Sequence, residues 1–335
     1  MSIAMLRRIP LEDETSWNDA VRGLGWPAHS NAYHRALAVG ASANPVLLDF
    51  RSAGGRLIVP VVERAAGDGR DLFTPYGLGG MIVDEPSPAL FAHFGERMRA
   101  LGYVAGYFQL DIATRWGEWT SDLDLRGDNE VFVVDLDAAQ GHFIHPSSDN
   151  LKAKLREWDK ANARLETASD QLKSAFLSLF PATMDRVGAA ATYEFSTDRL
   201  TALLEDSETL IYGGSVNGRI EAVSVFRRWA GRADYLFNAS SGAGRAFSAK
   251  LLTVAAQQFT AEGVGLFCLG GGIRRNDGLA QFKRRFGGTA LPLRALCQVY
   301  DRERFDRLCH AAGRVDDGGW FPPYQAPGAT VAASG

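Results

Sequence analysis

The sequence predicts an α+β protein built as two related units, each with a mixed, mainly antiparallel sheet flanked by helices. Three observations carry this: the length, an order of elements that occurs twice, and a helical stretch between the two occurrences. At 335 residues the chain exceeds one comfortable hydrophobic core and suits two domains, since domains run to roughly 150 residues each. Each occurrence reads as an antiparallel meander, then a helix, then a strand. That is not the alternating βα order of a doubly wound sheet.

In the first half, residues 46–51 (Val-Leu-Leu-Asp-Phe-Arg) read as a strand, 52–55 as a Gly-Gly turn and 56–63 as the returning strand. A Gly-rich turn at 65–70 leads into 71–80, Asp-Leu-Phe-Thr-Pro-Tyr-Gly-Leu-Gly-Gly. The second half repeats the order. Residues 210–212 are a strand, 216–219 a turn with Asn217-Gly218 hairpin chemistry, and 220–227 the returning strand. Ala230-Gly231 turns into 234–244, Asp-Tyr-Leu-Phe-Asn-Ala-Ser-Ser-Gly-Ala-Gly. Gly55-Arg56-Leu57 aligns with Gly218-Arg219-Ile220, and Leu72-Phe73 with Leu236-Phe237. Residues 90–101 have helical periodicity, end at Gly102 and feed an apolar strand at 107–112. Residues 246–262 do the same, end at Gly263 and feed 264–269.

Between the halves, residues 150–204 read as helical. Leu151, Leu155, Trp158 and Leu165 form an apolar stripe, beside a basic ridge of Lys152, Arg156, Lys160 and Arg164 at four-residue spacing. Asp149 or Asn150 is placed to cap that helix. Glu157, Asp159 and Glu166 are interspersed, so an ordinary solvated face competes with a binding ridge. These readings place the domains at 1–149 and 150–312, followed by a Gly/Pro/Ala-rich tail, 313–335, which Trp320, Phe321 and Tyr324 are able to anchor.

Hydrophobic residues at 46% and charged residues at 22% exclude a disordered chain. A net charge of -3 excludes a uniformly basic nucleic-acid coat, though not a local basic patch. Cys268, Cys297 and Cys309 are too few and too scattered for a disulfide framework or a zinc knuckle, and fit a reducing compartment. No apolar run reaches the ~18–20 residues of a membrane span. Residues 1–14 hold Arg7 and Arg8 but no apolar core segment, so they do not read as a signal peptide. A cytoplasmic protein is expected.

Several chemistries fail on inspection. There is no Walker A sequence, and Gly213-Gly-Ser-Val-Asn217 lacks the last glycine of a nucleophile elbow. Neither Gly77-Leu-Gly79 nor Gly242-Ala-Gly244 continues into a dinucleotide fingerprint. His142 and His145 have no acidic or cysteine partner at metal spacing, so no metal site is expected. Two glycine-rich segments remain. Residues 239–244 lie between a strand and a long helix, where backbone N–H groups and the helix dipole can cradle a phosphate, or where glycine simply allows a tight turn. Leu269-Gly270-Gly271-Gly272 ends a buried strand and permits close approach of a ligand or another backbone. The segment after it carries Arg274, Arg275, Lys283, Arg284 and Arg285 against one acid, Asp277. Asp277 is placed to cap a helix at 279–285 that ends at Gly287. Such a basic segment in an acidic chain suits a polyanionic ligand, with an ordinary surface helix as the competing reading.

The run 234–240, the helix after it, Phe267-Cys-Leu-Gly-Gly-Gly272 and Gly278-Leu-Ala-Gln-Phe-Lys-Arg-Arg-Phe-Gly287 together resemble the second half of the FemABX aminoacyltransferases, and their relatives in the GNAT superfamily of acyltransferases. Tyr76-Gly-Leu-Gly-Gly80 is similar to the glycine-rich strand of that family's first subdomain, and the 152–164 helix lies where the family has a basic helix. The resemblance covers most of 1–312, and its specific part is 234–287. It implies two tandem GNAT-like subdomains facing a shared cleft, and transfer of an aminoacyl group from charged tRNA to an amine, typically of a peptidoglycan precursor. It carries the family's Phe-Lys pair onto Phe282 and Lys283: the lysine steadies the tetrahedral oxyanion, and the aromatic lines the site for the tRNA end. A fixed cation there is worth several kcal/mol, and no covalent enzyme intermediate is needed. The expected donor-binding residues are Gly242, Gly244, Gly270, Gly271, Gly272, Arg274, Arg275 and Arg284, and the expected acceptor-binding residues Tyr76, Asp111 and Tyr235. Asp111, Tyr235 and Asp277 are the candidate general bases.

The sequence departs from the pattern of an acetyl-CoA-using GNAT domain, because Ala239 stands where Arg or Gln opens the pyrophosphate loop. No coiled-coil insertion is visible in the second half, which suits a soluble precursor or a specialised-metabolite intermediate as acceptor. No cofactor is expected beyond the donor substrate. The competing functions are an N-acyltransferase using acyl-CoA or an acyl carrier protein, and a non-catalytic binding protein of the same fold.

Overall fold

The computed structural model describes residues 4–113, 120, 122–139, 149–188, 195–272 and 275–328. His142, His145 and Arg274 lie outside them, as do the side chains of Asp149 and Asn150. The chain divides into two compact units: residues 1–128 with 293–335, and residues 129–292.

The first unit runs β1 (Met5–Pro10), α1 (Glu14–Val21), α2 (Asn31–Ala38), β2 (Val46–Ser52), β3 (Gly55–Ala66), β4 (Gly69–Phe73), β5 (Ile82–Asp84), α3 (Pro88–Ala100), β6 (Tyr103–Gln109) and β7 (Asp124–Arg126). The second runs β8 (Glu130–Asp135), α4 (Leu136–Ala139), α5 (Asp149–Lys160), β9 (Arg164–Glu166), α6 (Ser169–Val187), α7 (Thr197–Glu205), β10 (Thr209–Val216), β11 (Arg219–Trp229), β12 (Arg232–Ser240), α8 (Ser248–Ala261), β13 (Leu266–Gly271), α9 (Gly278–Arg285) and β14 (Thr289–Pro292). The chain then returns to the first unit with β15 (Ala295–Val299) and α10 (Arg302–Ala311).

The first unit's sheet has the order β1-β2-β3-β4-β6-β15-β7, with β5 paired to β3, and the second's β14-β8-β13-β12-β11-β10-β9. The repeated order of the sequence is present in both. Strands β2, β3 and β4 form an antiparallel meander, and β4 pairs in parallel with β6 after α3. Strands β10, β11 and β12 form the second meander, and β12 pairs in parallel with β13 after α8. Asn217 and Gly218 both have positive φ, 51° and 77°, as the hairpin between β10 and β11 requires.

The domain boundaries differ from the expectation for one physical reason. Strand β8, Val131–Val134 buried on both faces, needs a neighbour on each side and finds β13 and β14 in the second unit. Strand β15 likewise lies between β6 and β7 in the first. The boundary thus falls at 128/129, not 149/150, and residues 293–312 leave the second unit. Three further corrections concern the middle region and the tail. The basic helix stops at Lys160, because Asn162 turns at φ 48° and Arg164 and Leu165 enter edge strand β9, where Leu165 is exposed. The expected ridge therefore lacks Arg164. Residues 150–204 are not wholly helical, since β9 interrupts them. In the tail, Phe321 and Tyr324 are buried against Phe305, whereas Trp320 is exposed.

The second unit packs its sheet between helices. α8 buries Leu252, Ala256 and Phe259 against Phe226 and Phe267, while Phe176 and Phe180 of α6 pack on Phe237.

Candidate functional site

The site forms where the second sheet opens. β12 and β13 pair only from Arg232↔Leu266 to Asp234↔Cys268, and both strands are irregular immediately beyond that point. On β12 the register against β11 shifts so that Phe226 faces Tyr235 and Val225 faces Phe237, leaving Leu236 as an extra residue. Such a bulge re-aims side chains. Tyr235 stacks on Phe226, 5.3 Å between centroids, on the α8 side, whereas Phe237 packs on α6. On β13 the register against β8 shifts between Cys268 and Gly271, and Gly270 takes φ +72°, a conformation that costs glycine nothing.

Helix α9 delivers Lys283 into this opening. Asp277 starts the helix by accepting from the Ala280 N–H at 2.7 Å. Ala280, Phe282 and Lys283 are its buried residues. Lys283 Nζ donates to the Gly271 carbonyl at 2.7 Å and stands 5.9 Å from the Tyr235 ring centroid. A Cβ on Gly270 would lie 3.3 Å from Nζ, so the glycine makes room for the ammonium. Burial lowers the Lys283 pKa to about 8, against the opposite pull of Cys268 and Asp277. Burial raises the pKa of the Tyr235 phenol, opposed by its hydrogen bond with Ser224. Tyr235 therefore holds its proton and does not fit a general base at neutral pH, and Asp277 is engaged as a helix cap. Phe282 packs beside Phe286 in the core, with Lys154 Nζ 4.4 Å from its ring centroid.

The sequence-expected residues fall into groups. Gly270, Gly271, Tyr235, Lys283 and Phe282 come together. Asn129 donates to the Gly272 carbonyl at 3.2 Å and pins the end of the glycine run. Arg284 and Arg275 flank the run, and both point at Glu130 of β8, at 3.2 Å and 3.8 Å. Gly244 is turned inward: a Cβ there would meet the Glu221 carbonyl at 2.0 Å, and its N–H is bonded to Ser241 Oγ at 3.2 Å. Its role is close packing on β11. Gly242 sits in open space at φ -58°, just before α8. Tyr76 and Asp111 belong to the first unit. The Tyr76 carbonyl accepts from the Tyr33 hydroxyl at 3.1 Å, and buried Asp111 accepts from the Ala113 N–H at 3.3 Å.

Sequence reasoning missed Glu130, Asn129 and Lys154. Glu130 and Asn129 lie more than 130 residues before the segment they contact, and nothing local marks them. Lys154 lies on the basic helix but off the four-residue ridge, on the side that meets Phe282. Among the described residues no group of three or more His, Cys, Asp or Glu is placed to hold a metal ion. No described helix is long and apolar enough to cross a membrane.

The chain superposes on FemX with a TM-score of 0.67 at 10% identity, covering 90% of this chain and 99% of that one. The C-terminal domain of a protein described as a lysylphosphatidylglycerol synthetase from Agrobacterium fabrum gives 0.55 at 16% identity, covering 86% and 91%. L-PGS from Bacillus licheniformis gives 0.52 at 15% identity, covering 87% and 92%. No protein-family model matches the sequence, and neither does any curated protein. The chain thus has the FemX fold, as the resemblance in its second half implies.

Proposed function

We propose that this protein is a GNAT-type acyltransferase that forms an amide bond, transferring an aminoacyl group from aminoacyl-tRNA to an amine of a peptidoglycan precursor or of a specialised-metabolite intermediate. The observation that carries the reading is Lys283, a buried amine with one N–H on the Gly271 carbonyl, at the point where β12 and β13 part. A lysine ammonium has three donors, so two remain for a developing oxyanion. The amine nitrogen attacks the ester carbonyl, the C–N bond forms, and the oxyanion is held by Lys283. The ester C–O bond then breaks, and the nitrogen's proton goes to the leaving ribose oxygen, which departs as a hydroxyl. Fixed charge at the oxyanion is the largest single contribution available to such a step. The resemblance of 234–287 to the FemABX aminoacyltransferases supports charged tRNA as the donor.

A second reading, N-acyl transfer from acyl-CoA or an acyl carrier protein, rests on the Gly242–Gly244 turn before α8. The inward packing of Gly244 and the alanine at 239 speak against it. Incubation with charged tRNA, acyl-CoA and a panel of amines, with mass detection of products, tests both. Aminoacylated amine formed only with charged tRNA is the expected result. Acylation from acyl-CoA alone replaces the first reading by the second, and product from neither donor removes the tRNA and acyl-CoA readings.

A further inference from the structure

We infer that Glu130 is a built-in counter-ion of a phosphate site formed by Arg275 and Arg284, which a bound phosphate displaces. The inference rests on the proposed function only for the donor's identity, not for the site. Two guanidinium groups, from the turn after β13 and from α9, share one carboxylate, Oε1 to Arg275 at 3.8 Å and Oε2 to Arg284 at 3.2 Å. One negative charge against two positive ones leaves the trio cationic. The arginine side chains are 57% and 46% exposed, but Glu130 only 20%, so the cations face solvent and the carboxylate stands behind them.

The backbone that carries the carboxylate is fixed. Glu130 opens β8, its N–H is bonded to Asn129 Oδ1 at 2.9 Å, and the Asn129 amide holds the Gly272 carbonyl. A Cβ on Gly271 would meet the Glu130 carbonyl at 2.8 Å, so the glycine run is pressed directly against it. Arg284 is steadied from below by the Phe132 ring, 5.3 Å from its centroid, and by Asn276 Oδ1 at 3.4 Å. Arg284 is thereby held beside the carboxylate it shares with Arg275, and arginine is the preferred partner of phosphate oxygens.

Exchange is easy, since ion pairs whose cations face solvent are weak. Glu130 does two things at once. It keeps the arginines ordered when no donor is bound, and it subtracts from the affinity of every phosphate that enters. A diphosphate of coenzyme A and the phosphodiesters of an RNA end present the same chemistry here.

Tripolyphosphate, titrated against the full-length protein by calorimetry, tests the site independently of any donor. Glu130→Gln is expected to tighten binding by roughly three- to tenfold and to steepen its salt dependence by about one unit of slope, as for one more phosphate neutralised. Adding Arg284→Ala to Glu130→Gln is expected to erase the gain. Unchanged or weaker binding in a folded Glu130→Gln variant, no tripolyphosphate binding by either protein, or a gain that survives Arg284→Ala each overturns the inference. Uncharged tRNA and coenzyme A, titrated alongside, identify the donor. If coenzyme A alone follows the tripolyphosphate pattern, the tRNA reading fails while the counter-ion stands.

Discussion

In the proposed reaction, Lys283 concentrates the chemistry of the site in one amine whose charge depends on pH. Replacing it with alanine is expected to lower turnover by about 10²-fold or more, measured as steady-state rate with the protein's fold checked by circular dichroism. Because burial lowers its pKa to about 8, the ammonium that the proposed reaction places at the oxyanion is lost as pH rises. Activity that depends on it should fall above pH 8. Stability should move the other way. Between pH 8 and about 10.4 the unfolded lysine binds a proton that the folded one has released, so stability rises with pH across that window and the burial penalty is fully present below it. Lys283→Met is expected to flatten this slope, read from denaturation midpoints at pH 7, 8, 9 and 10.

Among the elements, the candidate site depends on how strand ends are bent. The extra residue Leu236 turns Tyr235 and Phe237 to opposite faces, and the bend at Gly270 lets α9 bring Lys283 under the sheet. The turn before α8 separates two glycines that look alike in sequence. Gly244→Ala drives a methyl group into the Glu221 carbonyl and is expected to destabilise the protein by about 1–3 kcal/mol. Gly242→Ala, in open space and at a helical φ, is expected to change stability by about 0.5 kcal/mol or less. Urea unfolding of the two variants side by side measures the contrast.

At the scale of the whole molecule, each sheet depends on a strand from the other half of the sequence. A break at 149/150 gives a first piece carrying β8 without β13 and β14, and a second carrying β15 without β6 and β7. Neither piece is expected to fold alone, and co-expression is expected to restore soluble, cooperative folding, which size-exclusion chromatography reads directly. The tail belongs to the same logic. Buried Asp71 accepts from the Tyr324 hydroxyl at 2.8 Å and from Gln325 at 3.2 Å, and burial raises its pKa to about 6 against those hydrogen bonds. The folded state therefore holds a proton that the unfolded state releases near its ordinary value of about 3.9. The resulting stabilisation is complete below that value and is lost as pH rises through 6. Asp71→Asn is expected to remove this part of the pH dependence of thermal unfolding. Truncation after residue 312 removes buried Phe321 and Tyr324, each worth about 1.5–3 kcal/mol, and is expected to lower the melting temperature sharply.

Legible in the amino-acid order are the two repeats, the turns at Gly55 and Asn217-Gly218, the cap at Asp277 and the adjacent Phe282 and Lys283. These are local matters: turn residues select backbone angles, and apolar spacing selects a period, within a few residues of where they act. Which sheets β8 and β15 complete emerges only on folding, because a buried strand carries no mark of its neighbours. The same holds for the bulge at Leu236, since alternation alone puts Tyr235 and Phe237 on one face. It holds most of all for Glu130, a solitary acid at a strand start that becomes the partner of two arginines far along the chain. Contacts of that kind are set by packing across the sheet, and no local pattern records them.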